Sequence, residues 1–415
     1  DATTWNATSG GNAGEGGFVE TSGHIKLDAG GYVDLTASNG ARGTYFLDPT
    51  NITIYGNFAP NFATVIQGDS TALSANLRLW LDASDTANVN LTYSALTTAG
   101  ANACASSCLT ASGTSGATTI TTSANVASSL QVGQRIRLGS AGSVTAVSTL
   151  GADTYTITAK SGTTITLSSA LTTTYTNATV YGGYVSQLTN KTGSGNNATQ
   201  GTDNRMPLWV SNSQNGLGVV RFDGTSDSLS LPTSTFAGGN NTPFTLAGAY
   251  NQNNLSGNQN IIAVTATNAY QVGTRSTTFG PWRSGGAFWT STAAPSSLAW
   301  HQFATVYNGT NTSIYTDSAL ANTAAAAINT SSVSTVMIGS HNGTSEFFSG
   351  VINELYLYNT SLSTNALTLI NQYQSAKWNV ALTPPGSGVG EVAKATASIQ
   401  KGDAVDGYSV LPRSI

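Results

Sequence analysis

The sequence predicts an all-β fold: a short β-solenoid segment, an antiparallel two-sheet sandwich carrying an inserted small β module, one C-terminal helix and an extended tail. Three observations lead there. Short runs rich in Val, Ile, Thr, Tyr and Phe recur along all 415 residues, separated by Gly, Asn and Ser. Only 8% of the chain is charged, against about 25% in a typical soluble domain, and 45 glycines punctuate it. The chain is nevertheless 39% apolar with well-spread aromatics, so a core can be built and disorder, which pairs low hydrophobicity with high net charge, is disfavoured.

Residues 1–58 come first. Gly16-Gly17-Phe18-Val19-Glu20, His24-Ile25-Lys26-Leu27, Tyr32-Val33-Asp34-Leu35, Tyr45-Phe46-Leu47 and Asn51-Ile52-Thr53-Ile54 are short strand signals separated by Gly-rich turns. That spacing suits the rungs of a parallel solenoid, in which each rung buries its face only against neighbours. So few rungs need more solenoid or another partner to cover their ends.

From Leu77 the pattern changes. Leu77-Arg78-Leu79-Trp80-Leu81-Asp82 begins a domain that resumes after residue 183 and runs to 380. Trp300–Tyr307 faces Thr312–Asp317 across Asn308-Gly309-Thr310, and Asn-Gly between alternating strands signals a hairpin. Val336–Gly339 and Gly350–Tyr358 complete a set of short strands with polar turns, the mark of two antiparallel sheets face to face. From Thr364 to Trp378, Ala366-Leu367, Ile370, Tyr373-Gln374 and Lys377-Trp378 fall at helical spacing. The interruption, residues 92–183, has its own strand signals at Val132–Leu138, Thr154–Thr158 and Thr163–Leu167. Insertion at a loop tip is where a sandwich tolerates added mass. Residues 381–415 begin rich in Pro, Gly and Ser and end in a strand-like run, Tyr408-Ser409-Val410-Leu411.

Two resemblances rest on these residues. Gly14 to His24 (GEGGFVETSGH) and Gly43 to Ile54 (GTYFLDPTNITI) resemble the filamentous-haemagglutinin-type exoproteins. In these "GG-FVETSG" and "G-W-LLDP-NITI" close a β-helical shaft; Tyr45 stands where the family usually has Trp. This resemblance implies bacterial export by a two-partner route. LWLDASD from Leu79, KTGSGNNATQ from Lys191, VVRFDGTSDSL from Val219, WHQFATVYNGT from Trp300 and GVINELYLYN from Gly350 resemble laminin-G-like, concanavalin-A-like jelly-roll domains of bacterial surface proteins. That resemblance covers residues 77–91 and 184–380 and implies a jelly roll.

Composition excludes several classes. Fifteen basic against nineteen acidic residues give a net charge of −4, without the clustered basic patch a nucleic-acid binder needs or a polybasic segment for anionic lipid. No apolar run approaches the ~18 residues of a membrane span. The start at Asp1 reads as that of a mature or excised piece. Cys104 and Cys108 are the only cysteines. A small loop-closing disulfide from an oxidising compartment is the preferred reading over a metal clip or redox pair, since no His lies nearby to complete a zinc set.

Chemistry-bearing residues are sparse. Glycosidases place two carboxylates about a scissile bond, and the strand Val351–Tyr358 offers Glu354 alone, so no catalytic residue is assigned and the chain is expected not to be an enzyme. Asp223 and Asp227, with Glu346, are the candidate calcium ligands; capping of turns by Asp is the alternative. Tyr270, Trp282 and Trp289 are candidate glycan platforms, against the alternative that they fill the core. Tyr408, Val410 and Leu411 are candidate assembly residues: a tail strand completing a neighbour's open sheet would build filaments. The expectation is an extracellular cell-surface protein, a structural or adhesive fibre subunit whose partners are copies of itself. The alternative is a lectin-like adhesin module that binds glycan, with calcium as a candidate cofactor.

Overall fold

A computed structural model describes residues 76–126, 129–139, 153–236, 238–266, 270–283 and 287–380, together with the backbone of short strands between residues 5 and 52 and between 399 and 410. Two compact units result, one of residues 1–60 with 382–415 and one of residues 61–381.

In the first unit, Phe18–Gly23 pairs in parallel with Thr44–Pro49, and Trp5–Asn6 with Val33–Asp34. Two parallel pairs are what adjacent rungs share; a stacked solenoid is not shown among the described residues. The tail returns to the same chain. Ala404–Asp406 runs antiparallel to Thr44–Pro49, and Ile399–Gln400 to Asn51–Ile52. Val410 lies opposite Val405, while Tyr408 and Leu411 lie outside the described residues. Of the run Tyr408–Leu411 expected to complete a neighbour's sheet, the described Ser409–Val410 pairs with Val405–Asp406 of the same chain.

The second unit is a mostly antiparallel β structure with one helix, a jelly-roll-like arrangement of two sheets. One sheet runs Leu77–Asp82, Ser349–Tyr358, Phe244–Gln252, Trp300–Tyr307, Asn311–Thr316, Ala319–Ala325. The other runs Leu229–Leu231, Thr335–Ile338, Asn258–Thr265, Tyr270–Arg275, Thr278–Trp282, Thr292–Ala293. Aromatic rings lock the two together: Tyr250 stacks on Phe279 at 5.6 Å, and Phe244 meets Tyr270 edge to face at 4.8 Å. Such pairs add about 1 kcal/mol each beyond their burial. Leu246, Phe303 and Ile352 from one sheet and Ile262, Val272 and Ile338 from the other fill the space between.

Burial follows strand position. Arg135–Gly139 and Thr164–Leu167 alternate buried and open residues, as strands with one wet face must. Phe244–Gln252, Trp300–Tyr307 and Ser349–Tyr358 are buried almost throughout, because their outer faces are covered too. The cover is the helix Thr364–Trp378, whose Ala366, Leu367, Ile370 and Tyr373 pack on Ala247, Ala304, Val306 and Tyr356. The small Ala247 and Ala304 let the helix approach. Ser363 caps its start by accepting the Ala366 N–H, and Asn379 ends it in the left-handed conformation.

Residues 92–183 build a separate core of Leu109, Ile120, Ile136, Tyr155, Ile157 and Ile165, among others. The 14-residue strand Tyr175–Leu188 runs through both regions, pairing with Val89–Ala95 on the host side and with Thr110–Gly113 and Arg135–Gly139 in the insert. The junctions thus lie inside continuous strands, which shared hydrogen bonding makes stiff. Cys104 and Cys108 are joined in a disulfide that closes the loop between Val89–Ala95 and Thr110–Gly113.

One glycine is fixed by both its backbone and its neighbour. Gly339 has φ +81°, and a Cβ placed there would meet the Phe222 ring at 2.4 Å. Gly339→Ala is expected to lower the unfolding free energy by about 2 kcal/mol or more, through strain and a displaced core ring. Denaturant titration checks this; an unchanged midpoint would contradict the packing described.

Candidate functional site

The charged residues that carry chemistry gather in three places. The first is buried. Asp82 and Glu354 are directly opposed on neighbouring strands, and Lys377 from the last turn of the helix reaches both, 2.8 Å from Asp82 Oδ2 and 3.0 Å from Glu354 Oε1. Glu354 is 1% exposed and Asp82 2%. Glu354 Oε1 also accepts from Trp80 Nε1 at 2.8 Å and the Tyr373 hydroxyl at 3.2 Å; Oε2 accepts from Trp378 Nε1 at 2.7 Å. Asp82 Oδ1 accepts from the Ser84 N–H at 3.0 Å and hydroxyl at 2.6 Å, while Lys191 stands 3.1 Å from Oδ2 and 2.9 Å from Asp85. Burial and the negative charge of Asp82 push the Glu354 carboxyl above its usual range, against the pull of Lys377 and the indole donors. Burial would raise Asp82 as well, but the ammonium groups of Lys377 and Lys191 outweigh it and hold it low.

Two facing carboxylates suggest glycoside hydrolysis, yet this pair lies between sheet and helix, with every Glu354 oxygen committed to a protein donor. A sugar has no route to it. The sequence singled out Glu354 but missed Lys377, Lys191, Trp80 and Trp378. Their only signal was their place in the Leu-Trp-Leu-Asp, Lys-Thr-Gly and Ala-Lys-Trp runs.

The second place is the turn 223–227. Asp223 Oδ1 accepts the N–H groups of Thr225 at 2.8 Å, Ser226 at 2.8 Å and Asp227 at 3.0 Å, and Oδ2 accepts the hydroxyls of Thr225 and Ser226. Burial works against the Asp223 charge, but these donors outweigh it and hold the carboxyl below its usual value. Asp227 is 7% exposed and has one donor to its Oδ2, the Asp223 N–H at 2.9 Å. Burial and the neighbouring Asp223 charge push it up to about 8. Glu346 lies elsewhere, with Oε1 on Asn258 and Oε2 on Asn260. Among the described residues no three His, Cys, Asp or Glu side chains converge as a metal site. Asp223, Asp227 and Glu346 are therefore not gathered about a cation, and the oxygens of Asp223 and Glu346 already serve as acceptors within the protein.

The third place is the rim formed by Tyr270–Arg275, Thr278–Trp282, Arg283 and residues 287–293. Tyr270 is 1% and Trp282 2% exposed, so neither presents a face to a ligand. Tyr270 packs on Phe244, and Trp282 meets Phe288 edge to face at 5.7 Å. Both are core residues because their strands are covered on both sides. Trp289 is only half-buried, resting on the edge of the core. Exposed Arg283 holds its guanidinium 5.6 Å from the Trp289 ring centre, and Arg275 lies 5.6 Å from Phe288 and 5.9 Å from Trp282. These arginines went unread in the sequence, although Arg283 directly follows Trp282. Elsewhere, His301 hydrogen-bonds Asp317 through Nδ1 at 2.7 Å and the Ser296 carbonyl through Nε2 at 2.9 Å, a pairing of loop and strand.

Residues 223–367 match the Laminin_G_3 family model, described as the concanavalin A-like lectin/glucanases superfamily. No match was found among curated protein sequences. Among solved structures, the CBM40 module of Ruminococcus gnavus IT-sialidase bound to α2,3-sialyllactose is similar at 16% identity, over 37% of this chain and 96% of that one, with TM-score 0.32. A Trypanosoma rangeli sialidase in complex with sialic acid aligns at 14% identity, over 46% of this chain and 31% of that one, with TM-score 0.34. The binding domain of botulinum neurotoxin serotype G aligns at 13% identity, over 46% of this chain and 51% of that one, with TM-score 0.36. The chain thus spans about a third of the trypanosomal enzyme and half of the neurotoxin domain.

Asp227 generates a pH prediction. Its folded pKa of about 8 lies above the usual 3.8, so between these values the folded state holds a proton that the unfolded state has lost. Its contribution is full below about pH 4 and is lost as pH rises towards 8. Asp227→Asn keeps an acceptor for the Asp223 N–H without the charge. The variant is expected to gain stability over wild type by about 1–3 kcal/mol at pH 8 and to gain nothing at pH 4. Urea titrations at both pH values check this.

Proposed function

We propose that the chain is an extracellular, non-catalytic glycan-binding protein and that its jelly roll presents the binding rim. The observation that carries this reading is the rim itself. In a chain with 15 basic residues in 415, two arginines lie over rings at one sheet margin, and Arg283 is open to solvent above the half-buried Trp289. An aromatic face stacks on the apolar side of a sugar ring, and a guanidinium offers a planar pair of donors to a carboxylate. Together they suit an anionic sugar, either a sialic acid or a uronic acid. The match of residues 223–367 to a lectin-containing superfamily supports a sugar ligand. The disulfide supports an oxidising, extracellular setting. No helix of the described residues is long and apolar enough to cross a membrane. Calcium has no part in this reading, since Asp223 and Glu346 are engaged within the protein.

A fibre-forming role is the second reading, favoured by one observation. Strands 399–400 and 404–406 add to the edges of strands 51–52 and 44–49. The same pairing made between copies would link them head to tail in an open chain.

The glycan reading predicts that the purified chain binds carboxylated oligosaccharides on an array and ignores their neutral counterparts. Arg283→Ala and Trp289→Ala should each weaken binding about tenfold, in line with the loss of one charge-assisted contact or one stacked ring. Chelator should change nothing. Binding untouched by both substitutions would refute the rim. Regular polymers under negative stain, without glycan binding, would favour the fibre.

A further inference from the structure

The buried cluster has more in it than an ion pair needs. Lys377 Nζ lies 2.8 Å from Asp82 Oδ2 with the carboxylate of Glu354 at 3.0 Å, so an amine, an acid to acylate it and a third group able to carry a proton meet at one atom. The rings of Trp80, Tyr373 and Trp378 surround them, and their polar hydrogens fix Glu354 in place. The Ser84 N–H and hydroxyl both point at Asp82 Oδ1, where charge would develop if Cγ were attacked. Opposite charges held this deep gain little from their pairing, because desolvation offsets attraction.

We infer that Lys377 and Asp82 condense into an intramolecular isopeptide bond, with Glu354 as the proton carrier. The ion pair first becomes amine and acid by one proton transfer across the 2.8 Å contact. The free Nζ electron pair attacks Asp82 Cγ, and the Ser84 donors hold the oxyanion on Oδ1. Glu354 takes a proton from Nζ and returns it to Oδ2. The Cγ–Oδ2 bond breaks, Oδ2 leaves as water, and an Nζ–Cγ amide remains. One C–N bond forms, one C–O bond breaks, and no oxidant or reductant enters. Burial and the neighbouring Asp82 charge raise the Glu354 carboxyl above its usual range, in the direction a proton carrier needs.

Lys377 rather than Lys191 is the partner. Lys191 shares itself between Asp82 and Asp85 and lies over the Trp80 ring at 4.2 Å, and the described contacts of Glu354 include Lys377 but not Lys191. The product would join the first strand of the sandwich to its last helix, so that residues 83–376 form a covalently closed loop. Such a clasp suits a surface protein exposed to mechanical load and proteases.

Intact mass of the whole wild-type chain tests this. The expected mass is about 18 Da, one water, below that of the disulfide-bonded sequence. Digestion should then yield a branched peptide joining Lys377 to Asp82. Lys377→Arg and Glu354→Gln should each restore the missing mass. A wild-type chain of full mass overturns the inference, as does a water loss mapped to another site such as Asp223-Gly224 or to Lys191. A folded Glu354→Gln protein that still carries the branched peptide overturns the role given to Glu354.

Discussion

Glu354 is a carboxylate buried to 1% exposure, and the arrangement of the jelly roll around it depends on satisfying that one group. An unpaired charge at such depth would cost several kcal/mol. Four donors remove the cost, and they come from the first strand, through Trp80, and from the helix, through Tyr373, Lys377 and Trp378. The demand is geometric as much as energetic: strand Leu77–Asp82 must lie beside Ser349–Tyr358 in the observed register, and the helix must end where Lys377 and Trp378 reach inward. The covered faces of Phe244–Gln252 and Trp300–Tyr307 follow, because the helix that meets Glu354 also lies across them.

The low charge of the chain takes on meaning beside this network. Asp82, Asp85, Glu354, Lys191 and Lys377 form one cluster, Asp223 accepts hydrogen bonds from its own turn, and Glu346 is engaged by two asparagines. These side chains hold strands, turns and helix to one another. The rim at Arg275, Arg283 and Trp289 differs in that Arg283, which lies over the Trp289 ring, has no carboxylate partner among the described contacts and stands in solvent. The division is between charges that close the fold and charges on its margin.

Much of this fold could be read from residue pattern. The hairpin across Asn308-Gly309-Thr310 and the helix from Thr364 to Trp378 stand where short-range signals placed them, since a positive-φ Gly309 and a 3.6-residue apolar stripe are local properties. The site was less legible. Tyr270 and Trp282 lie on strands buried on both faces, where no polar alternation marks which side chains point outward. Lys377 and Asp82 are distant in sequence, and only the tertiary fold shows that Glu354 has one strand neighbour and one helix neighbour of opposite sign. The tail's strand-like run was visible, but pairing within one chain and pairing between copies demand the same residues, so its partner was not.

The two roles, a sealed clasp and an open rim, are separated most directly by amide hydrogen exchange of the whole chain with and without a carboxylated oligosaccharide. Slow exchange in Leu77–Asp82 and Ser349–Tyr358 that the ligand leaves unchanged is expected, with new protection confined to the segment from Arg275 to Ala293. Protection appearing instead around Asp82 and Glu354, or fast exchange there in the free protein, would contradict the account.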